Sequence, residues 1–520
     1  KEIQTPVGEV MTRNPVAIPD TIPPDEVLDE VRRQIRESGR MRTIRHAILI
    51  DEDRRVVGLI DVSRLAQSHS WYWDTVGVIG LGYVGLTLAV SLAEVGFEVI
   101  GWDSNPEIRE KLARGEPHVH ETGLESLLHA QLEKGRFIVA QSYEEIKRCA
   151  VFMVAVNTPV ERMMPDLSYV RQAITELTTI LKPGDLVVLR STVPIGTCRS
   201  EVVSIIEANT DFIVGRDIGL AFAPERTIQG KALEELRSLP QIIGGFNGWS
   251  TEGAARIFAR LAPTIVRVGS LEEAEFVKLI NNTFRDISFA FANEVAMMCE
   301  AYNLDAARVI KAANSGYPRN PVALPSPGVG GACLVKDPYM FANLSRAVGT
   351  PSLAETSRAI NEYMPQRIAQ RLLAALTESG KVPSEANIFV VGFAFKGEPE
   401  TNDLRGSPAL DFVHAIRASV RQVWGFDHVI PRADIEAQGI VWKELEEGFS
   451  SADAVLFMNN HRDLAKVNIY KLVKRMNLPG IFFDGWSFFD PEALERMPGV
   501  RYMSLGYLTP ITIKQAAHLP

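Results

Sequence analysis

A glycine-rich hexapeptide constrains the fold of this 520-residue chain more than any other feature; it reads Gly80-Leu81-Gly82-Tyr83-Val84-Gly85. Apolar residues 76–79 precede it, and an Ala/Leu-rich segment, 86–93, follows it. This order predicts a strand, a tight turn and a helix, which together begin a parallel sheet that binds a dinucleotide. The first glycine permits the turn, and the second lets backbone N–H groups approach a pyrophosphate. The alternative is a purely structural glycine turn.

The end of the next predicted strand indicates which dinucleotide binds. This strand has its core at 97–100 and ends at Asp103, 21 residues after Gly82. A carboxylate at this place accepts hydrogen bonds from both ribose hydroxyls and repels a 2′-phosphate, so we expect NAD as the cofactor. The residues expected to bind it are Gly80, Gly82, Tyr83, Val84, Gly85 and Asp103.

Apolar strands alternate with helical patterns in two parts of the chain, 75–245 and 387 onward, and 271–303 carry one long helical pattern between them. The predicted fold class is α/β, with two Rossmann-like parallel-sheet domains joined by a long central helix and a small α/β segment before them. The predicted domains are 1–70, 74–265, 266–380 and 381–520. The predicted strand cores are 46–50, 56–60, 76–79, 97–100, 150–156, 186–189, 219–223, 388–391, 423–426, 454–458 and 481–483.

The composition excludes several classes of protein. A net charge of −9 opposes nucleic acid as a partner, because phosphate binding favours a basic surface. The most apolar long stretch, 76–102, contains two glutamates and six glycines, so no membrane span is expected, and no signal-peptide pattern is found. Four cysteines without paired spacing predict neither a disulfide framework nor a metal site. We therefore expect a cytoplasmic protein.

One cysteine, Cys333, lies in a glycine-rich loop, 328–338. Such a loop brings backbone close to a ligand and holds a thiol in the open. Asp337 follows four residues later and shares a side with Cys333 if the segment turns helically. A thiol beside an NAD site indicates covalent oxidation, in which a thiolate attacks an aldehyde and hydride leaves to give a thioester. A structural loop is the alternative.

The long helical pattern carries one polar stripe on an otherwise apolar rod, formed by Glu275, Lys278, Asn282 and Arg285. Lys278 and Asn282 are one helical turn apart, so they can face a site together. The alternative is a solvated helix face.

From about residue 75 onward the chain resembles the UDP-glucose/GDP-mannose dehydrogenase family of nucleotide-sugar 6-dehydrogenases. The joint occurrence of several motifs in this order carries the resemblance: the hexapeptide at 80–85, Val156-Asn157-Thr158-Pro159, Ser191-Thr192-Val193-Pro194, Pro224-Glu225-Arg226, Lys278 with Asn282, Gly330-Gly331-Ala332-Cys333 with Lys336-Asp337, and Phe395-Lys396 followed by Asp403-Leu404-Arg405-Gly406-Ser407-Pro408. The resemblance implies oxidation of a sugar C6 alcohol to a carboxylate with two NAD⁺ and one cysteine.

The resemblance also implies the roles of individual residues. Cys333 would be the nucleophile, while Lys278 and Asn282 would stabilise the alkoxide and the oxyanions. Asp337 would assist proton transfer, and Thr192 and Glu225 would position the hydrolytic water. Further implied cofactor contacts are Thr158, Thr192 and Lys336. The implied substrate contacts are Glu225, Arg226, Lys278, Asn282, Arg319, Gly330, Lys396 and Arg405.

The resemblance extends to assembly and substrate. The long helix would be the core of a homodimer or higher homo-oligomer, with Arg319 reaching a neighbouring subunit's substrate. The UDP-glucose pattern usually has a second glutamate four residues after the first, where this chain has Gln229. The Pro-Glu-Arg form resembles the branch that acts on UDP-N-acetylmannosamine or UDP-N-acetylglucosamine, with Arg226 and Gln229 as donors to the N-acetyl carbonyl. We expect such a UDP-N-acetylhexosamine as substrate, for polysaccharide or glycan precursor synthesis; the alternative is UDP-glucose.

Residues 1–70 resemble a single CBS repeat through 10–15, 46–50 and 57–60. Such repeats work in pairs, which implies pairing across a homodimer, with adenine-nucleotide sensing as the alternative. Where such repeats often carry Thr-x-x-Asp, this chain reads Asp61-Val62-Ser63-Arg64, so the ribose carboxylate is missing. Two other functions remain as alternatives, an NAD-binding CBS regulator and a simple two-electron dehydrogenase. The regulator would be expected to lose the cysteine, lysine and asparagine set, and the simple dehydrogenase, of the alcohol or 3-hydroxyacid type, would need neither Cys333 nor the second nucleotide-binding sheet.

Overall fold

The computed structural model describes residues 16–22, 30, 31, 34, 46–61, 74–161, 163–319 and 321–507. Several features named above lie outside the described residues: the motif at 10–15, most of the helical pattern at 26–38, and Val62, Ser63 and Arg64. The described chain forms sheets of three, eight and six strands and a two-stranded hairpin. None of its described helices combines the length and the apolar character that a membrane span requires.

The first sheet is small and mixed. Its strands are β1 (Ala17–Pro19), β2 (His46–Ile50) and β3 (Val56–Asp61). β1 runs parallel to β2, and β3 pairs antiparallel with β2 at the edge, so both strands predicted here are confirmed. The sheet buries Ile18 and Ala47, whereas β3 leaves Val56, Val57 and Leu59 exposed.

The eight-stranded sheet contains the strand, turn and helix that the hexapeptide predicts. Its strands are β4 (Thr75–Ile79), β5 (Glu98–Trp102), β6 (Phe137–Val139), β7 (Val151–Val154), β10 (Leu186–Leu189), β11 (Gly219–Phe222), β12 (Gln241–Gly245) and β13 (Ile265–Arg267), and the separate hairpin is β8 (Val160–Glu161) with β9 (Met164–Pro165). The order β13-β12-β11-β10-β7-β4-β5-β6 contains the six parallel strands of a Rossmann fold. β12 pairs antiparallel with β11 and was not foreseen. The helices are α1 (Tyr83–Glu94), α2 (Pro106–Ala113), α3 (Leu124–Glu133), α4 (Ser168–Thr178), α5 (Val203–Asn209), α6 (Ala232–Ser238) and α7 (Gly248–Phe258).

The middle of the chain is helical. Its helices are α8 (Leu271–Ala301), α9 (Ala306–Asn314), α10 (Asp337–Ala347) and α11 (Leu353–Glu378), so the long helix predicted at 271–303 is confirmed. The Ser270 hydroxyl accepts the Glu273 N–H at 3.2 Å and begins α8. α8 packs along α11 through a buried ion pair between Asp286 and Arg358 at 2.9 Å. This pairing fixes the face of α8 that is turned toward the sheet domains.

The last sheet repeats the first Rossmann order. Its strands are β14 (Asn387–Val391), β15 (Gln422–Phe426), β16 (Val441–Trp442), β17 (Ala454–Phe457), β18 (Gly480–Asp484) and β19 (Val500–Ser504), in the order β16-β15-β14-β17-β18-β19. All pairs are parallel, as predicted. Its helices are α12 (Pro408–Ile416), α13 (Arg432–Glu436), α14 (Leu445–Phe449), α15 (Ile469–Leu472) and α16 (Pro491–Glu495). Ligands of such sheets bind at the carboxyl ends of the strands. Here the loop after β14, at this end of the sheet, contacts the loop at 330–331 that precedes α10.

Candidate active site

The three glycines of the hexapeptide have three different environments. Gly80 has a φ of +87°, and a Cβ there would lie 2.8 Å from the Ala155 carbonyl oxygen. A Cβ at Gly85 would lie 1.8 Å from the Gly80 carbonyl oxygen. A Cβ at Gly82 would meet no atom within 4 Å. The outer glycines are therefore required by the protein itself, while the middle one leaves open space at the N-terminus of α1. That space fits the pyrophosphate of NAD.

Asp103 follows β5 directly and lies beside this loop. Its Oδ2 accepts the Leu81 N–H at 2.8 Å, and its Oδ1 accepts the Asn105 N–H at 2.9 Å. The carboxylate is thereby fixed at the place where a Rossmann domain binds ribose.

Tyr83 connects the hexapeptide to a loop that follows β11. Its hydroxyl donates to the Glu121 carboxylate and accepts the Gly230 N–H at 3.1 Å. Burial, together with the Glu121 charge, raises the pKa of Tyr83 far above its usual range. The hydroxyl therefore stays protonated, and the loop containing Gly230 is held against the NAD-binding region.

The Cys333 loop is packed against the loop that follows β14, in the domain predicted at 381–520. A Cβ at Gly330 would lie 2.1 Å from the Gly406 carbonyl oxygen. Gly331 has a φ of +89°, and a Cβ there would lie 2.6 Å from the Phe395 ring. A side chain would therefore collide at both positions: at Gly330 the loop lies backbone against backbone, and at Gly331 it lies against an aromatic ring. Cys333 itself is exposed.

Asp337 is the centre of a buried hydrogen-bond network. Its Oδ2 accepts from Asn282 Nδ2 at 2.5 Å, and its Oδ1 accepts from Lys336 Nζ at 2.7 Å. Lys336 Nζ also lies 3.3 Å from Thr158 Oγ1, which donates to the Thr192 carbonyl at 2.7 Å. The network joins α8 and α10 to the loops after β7 and β10. It brings together five residues that the sequence singled out.

Glu225 is a buried carboxylate at the end of β11. It forms an ion pair with Arg190, and its Oε1 accepts the N–H groups of Arg226 and Thr227, both at 2.7 Å. Burial acts to raise the pKa of Glu225, but Arg190, the Thr227 N–H and the Lys278 charge outweigh it and hold the pKa below its usual value. Glu225 is therefore ionised.

Lys278 and its neighbours on α8 belong to the protein interior. Lys278 is buried, and Glu275 accepts the N–H groups of Gly196 and Cys198 at 2.5 and 2.8 Å. At Glu275 and Lys278 the stripe is therefore not a solvated helix face, whereas Asn282 is partly buried and Arg285 is exposed. Arg190 was missed by the sequence analysis, although a charged residue directly after the apolar strand 186–189 was a visible signal.

A polar contact joins the domain at 74–265 to the domain at 381–520. Gln229 Nε2 donates to Asp403 Oδ2 at 3.2 Å, and Lys396 Nζ donates to the Gln229 carbonyl at 2.5 Å. Arg405 forms an ion pair with the same Asp403 at 2.6 Å. Burial, assisted by the Arg285 charge, lowers the pKa of Lys396 to about 8. We call the contact between Gln229, Lys396 and Asp403 the Gln229 clasp.

Two predicted substrate contacts make other interactions. Arg226 donates to the Asn281 side chain at 3.1 Å and to the Pro240 carbonyl at 3.3 Å. Arg319 is exposed, with its guanidinium 5.3 Å from the centre of the Tyr317 ring.

Comparisons with known proteins agree with this architecture. Residues 74–262 match the NAD binding domain of the UDP-glucose/GDP-mannose dehydrogenase family, 272–363 match its central domain, and 389–491 match its UDP binding domain. Residues 7–68 match the CBS domain.

Relatives match over most of their length. The UDP-N-acetyl-D-mannosamine dehydrogenase of Pyrococcus horikoshii is 35% identical over 401 residues, which cover 77% of this chain and 93% of that protein. The UDP-N-acetyl-D-mannosamine dehydrogenase of Escherichia coli K12 is 30% identical over 410 residues, covering 76% and 95%. A solved structure of the Pyrococcus horikoshii UDP-D-ManNAc dehydrogenase superposes with a TM-score of 0.76 at 34% identity, covering 83% of this chain and 99% of that one.

The fold and the site define an NAD-dependent dehydrogenase of nucleotide sugars. The chain belongs to the UDP-glucose/GDP-mannose dehydrogenase family, and it carries a CBS domain before the NAD-binding domain. The predicted family and cofactor are confirmed, and the last sheet is the UDP-binding domain, so the substrate is a UDP-sugar.

Proposed function

We propose that the protein oxidises the C6 hydroxyl of a UDP-N-acetylhexosamine to the uronic acid through thiohemiacetal and thioester intermediates on Cys333. The observation that carries this proposal is the convergence of the exposed thiol, on a loop fixed by Gly330 and Gly331, with the network centred on Asp337. A simple alcohol dehydrogenase needs neither the thiol nor the UDP-binding sheet that presses on it.

The hexapeptide and Asp103 would hold NAD⁺, which would supply the hydride acceptor for each of the two oxidations. The Cys333 thiolate forms a bond to the aldehyde carbon, and the resulting oxyanion needs hydrogen-bond donors that are already in place. Asn282 uses one amide hydrogen on Asp337, which orients its second hydrogen for this oxyanion. Lys278 lies one turn earlier on the same helix face and supplies a positive charge. Loss of one such donor costs about 3–4 kcal/mol of transition-state stabilisation.

Hydrolysis of the thioester needs a water molecule near the carboxyl ends of β10 and β11, which Thr192 and Glu225 follow. Glu225 is held ionised by Arg190, so it accepts a hydrogen bond from such a water. The loop of Thr192 is tied to Lys336 through Thr158 and forms the opposite wall. The proton released by water passes to the Asp337 network. In this scheme Thr192 and Glu225 orient the water, and Asp337 receives its proton.

The relatives support an N-acetylated substrate, since the two described above are UDP-N-acetyl-D-mannosamine dehydrogenases. Arg226 uses two of its five N–H donors on Asn281 and Pro240 and keeps others for an acetamido carbonyl. Gln229 uses one amide hydrogen on Asp403 and keeps its second for the same carbonyl.

The number of NADH molecules formed per sugar tests the proposal. UDP-N-acetylmannosamine, UDP-N-acetylglucosamine and UDP-glucose should be compared as substrates, with two NADH expected per sugar consumed. One NADH would identify a simple dehydrogenase, and none would identify an NAD-binding regulator. A higher kcat/KM for UDP-glucose would refute the N-acetylhexosamine assignment, because a site built for the acetamido group leaves donors unpaired with glucose.

A substitution tests the nucleophile. Cys333→Ala should abolish acid formation and leave NAD⁺ affinity unchanged, because the thiol lies on a different loop from the hexapeptide. Cys149→Ala, which removes a buried thiol in the NAD-binding domain and away from the Cys333 loop, is the matched control and should keep turnover. Undiminished uronate formation by the Cys333 variant would contradict the mechanism.

We also propose a homodimer that forms along α8. This helix and the residue that ends it leave apolar side chains exposed at one-turn or two-turn spacing: Ile280, Phe284, Phe291, Met298 and, directly after the helix, Tyr302. A contiguous apolar surface of this kind is typical of an interface. The exposed residues of β3 support pairing of the CBS segments in the same dimer. All four cysteines are free thiols, which fits the reducing cytoplasm proposed as its location.

A further inference from the structure

We propose that His428, His461 and Asp463 form a binding site for a divalent transition-metal ion of the Zn²⁺ type, in the UDP-binding domain and beside the loop that carries Lys396. One possible ligand atom from each of the three side chains lies within 4.8 Å of the other two. This site is separate from the catalytic network described above and takes no part in the proposed chemistry.

The fold brings these residues together at the carboxyl ends of two parallel strands. His428 lies two residues after β15, and His461 and Asp463 lie four and six residues after β17. The two strands are both neighbours of β14, so their end loops lie side by side. The sequence analysis predicted no metal ion because the cysteines lack paired spacing, and this ligand set contains no cysteine.

His461 is oriented for binding through one nitrogen. It is 5% exposed, and its Nε2 lies 3.4 Å from Glu400 Oε2. Its Nδ1 accepts the Asp463 N–H at 3.3 Å and lies 4.0 Å from Asp463 Oδ2. With Glu400 at Nε2, an ion would bind at Nδ1 and take the place of the long hydrogen bond from the Asp463 N–H; a carboxylate at the other ring nitrogen is the usual outer-shell arrangement of metal-binding histidines.

The remaining two ligands can close around an ion. The His428 and His461 rings are 4.6 Å apart between centres. Bond lengths near 2.1 Å require ligand atoms separated by about 3.4 Å, so the pairs, which lie within 4.8 Å, must approach by at most about 1.4 Å. His428 is exposed, and Asp463, whose Oδ1 accepts from Lys466 Nζ at 2.7 Å, is partly exposed, so side-chain rotation supplies this movement without a shift of the buried His461.

The ligand types select the class of ion. Two imidazoles and one carboxylate suit Zn²⁺ and similar ions, whereas Mg²⁺ and Ca²⁺ prefer oxygen ligands. Three protein ligands leave a fourth position for water, and the exposure of His428 gives an ion access from solvent.

Bound metal would stiffen a loop of the UDP-binding domain. A Cβ at Gly397 would lie 1.9 Å from the His461 nitrogen, so the two backbones are in contact. Asn460 Oδ1 accepts the Gly397 and Glu398 N–H groups at 2.8 and 3.2 Å. Fixing His461 therefore also fixes the segment next to Lys396. We expect Zn²⁺ to raise the melting temperature of the full-length protein.

The test is a Zn²⁺ titration of the chelator-treated full-length protein in competition with a chromophoric chelator, repeated with Co²⁺ for its visible spectrum. The expected result is one equivalent per chain and a Co²⁺ spectrum without a thiolate charge-transfer band. His428→Ala should weaken binding at least tenfold, and Asp463→Asn should do the same. His414→Ala removes another exposed histidine of this domain and should change nothing.

The thiol of Cys333 is the main competing ligand, so Cys333→Ser serves as the second arm of the experiment. Equal Zn²⁺ affinity in the wild-type protein and His428→Ala, loss of binding in Cys333→Ser, or no binding at 100-fold excess of Zn²⁺ would each overturn the proposal. Correct folding of each variant is checked by a thermal melt without metal, which includes the UDP-binding domain that carries the substituted ligands.

Discussion

Gly82→Ala should separate cofactor binding from folding. Gly82 has φ −63° and ψ −168°, which alanine adopts without strain, and the new methyl group would meet no protein atom within 4 Å. The folded protein should therefore not be destabilised. Removing a glycine restricts the unfolded chain, which stabilises by about 0.4–1 kcal/mol where the native conformation is compatible.

NAD⁺ binding should respond in the opposite direction. The methyl group occupies the space through which the backbone N–H groups at the start of α1 reach the pyrophosphate. One hydrogen bond to a charged group contributes about 1.5–3 kcal/mol, and its loss weakens binding about 10- to 150-fold. Isothermal titration calorimetry with NAD⁺, beside a thermal melt of the apo protein, measures both quantities.

Gly85→Ala is the matched comparison, because its methyl group would lie 1.8 Å from the Gly80 carbonyl oxygen. This variant should unfold several degrees lower, as expected for an overpacked site that costs about 1–3 kcal/mol. Wild-type NAD⁺ affinity in Gly82→Ala, or a wild-type melting temperature in Gly85→Ala, would refute the assignment of the two glycines.

Three further outcomes are expected. Gln229→Ala removes the hydrogen bond to Asp403 in the Gln229 clasp. Because one hydrogen bond contributes about 0.5–1.5 kcal/mol, the KM for the UDP-sugar should rise about two- to tenfold at a nearly unchanged melting temperature. The control Gln172→Ala, which breaks only a contact within α4, should leave KM unchanged. If Lys396 binds the substrate phosphates, KM should rise as pH increases through about 8, because Lys396 loses its charge there. In Lys396→Arg this rise should disappear, since arginine stays charged. The same rise of KM in the arginine variant would show that another group causes it. Phe284→Glu should convert the dimer to a folded monomer in light scattering, because this side chain is 70% exposed on α8, and an unchanged mass would place the interface elsewhere.

The sequence predicted the sheets where strands are long, apolar and followed by helices. The strand at 186–189 is confirmed residue for residue, and the helix predicted at 271–303 differs by two residues at its end. The antiparallel strand β12, Gln241–Gly245, was missed because two glycines end it and a parallel rhythm gives no reason for a reversed strand. Periodicity indicates local structure, whereas the direction of a strand is set by its neighbours in the sheet.

The sequence predicted those parts of the candidate site in which a single helix or loop carries several of the residues. Lys278 and Asn282 share a helix face, so their proximity follows from spacing alone. The pairing of Glu225 with Arg190 joins the ends of two strands 35 residues apart, and the metal ligands likewise come from two separate strand ends. Contacts of this kind depend on strand order, which a single sequence does not determine.

The close packing of Gly330 against Gly406 has a consequence during protein synthesis. The residues that fix the Cys333 loop are about 70 positions later in the chain, and a ribosome adds roughly 5–20 residues per second. For several seconds the nascent chain therefore exposes a thiol that no surface yet positions, although its NAD-binding domain is complete. A chain terminated before residue 406 should bind NAD⁺ and produce no uronate, so interrupted translation yields an inert fragment rather than an enzyme that releases a reactive aldehyde.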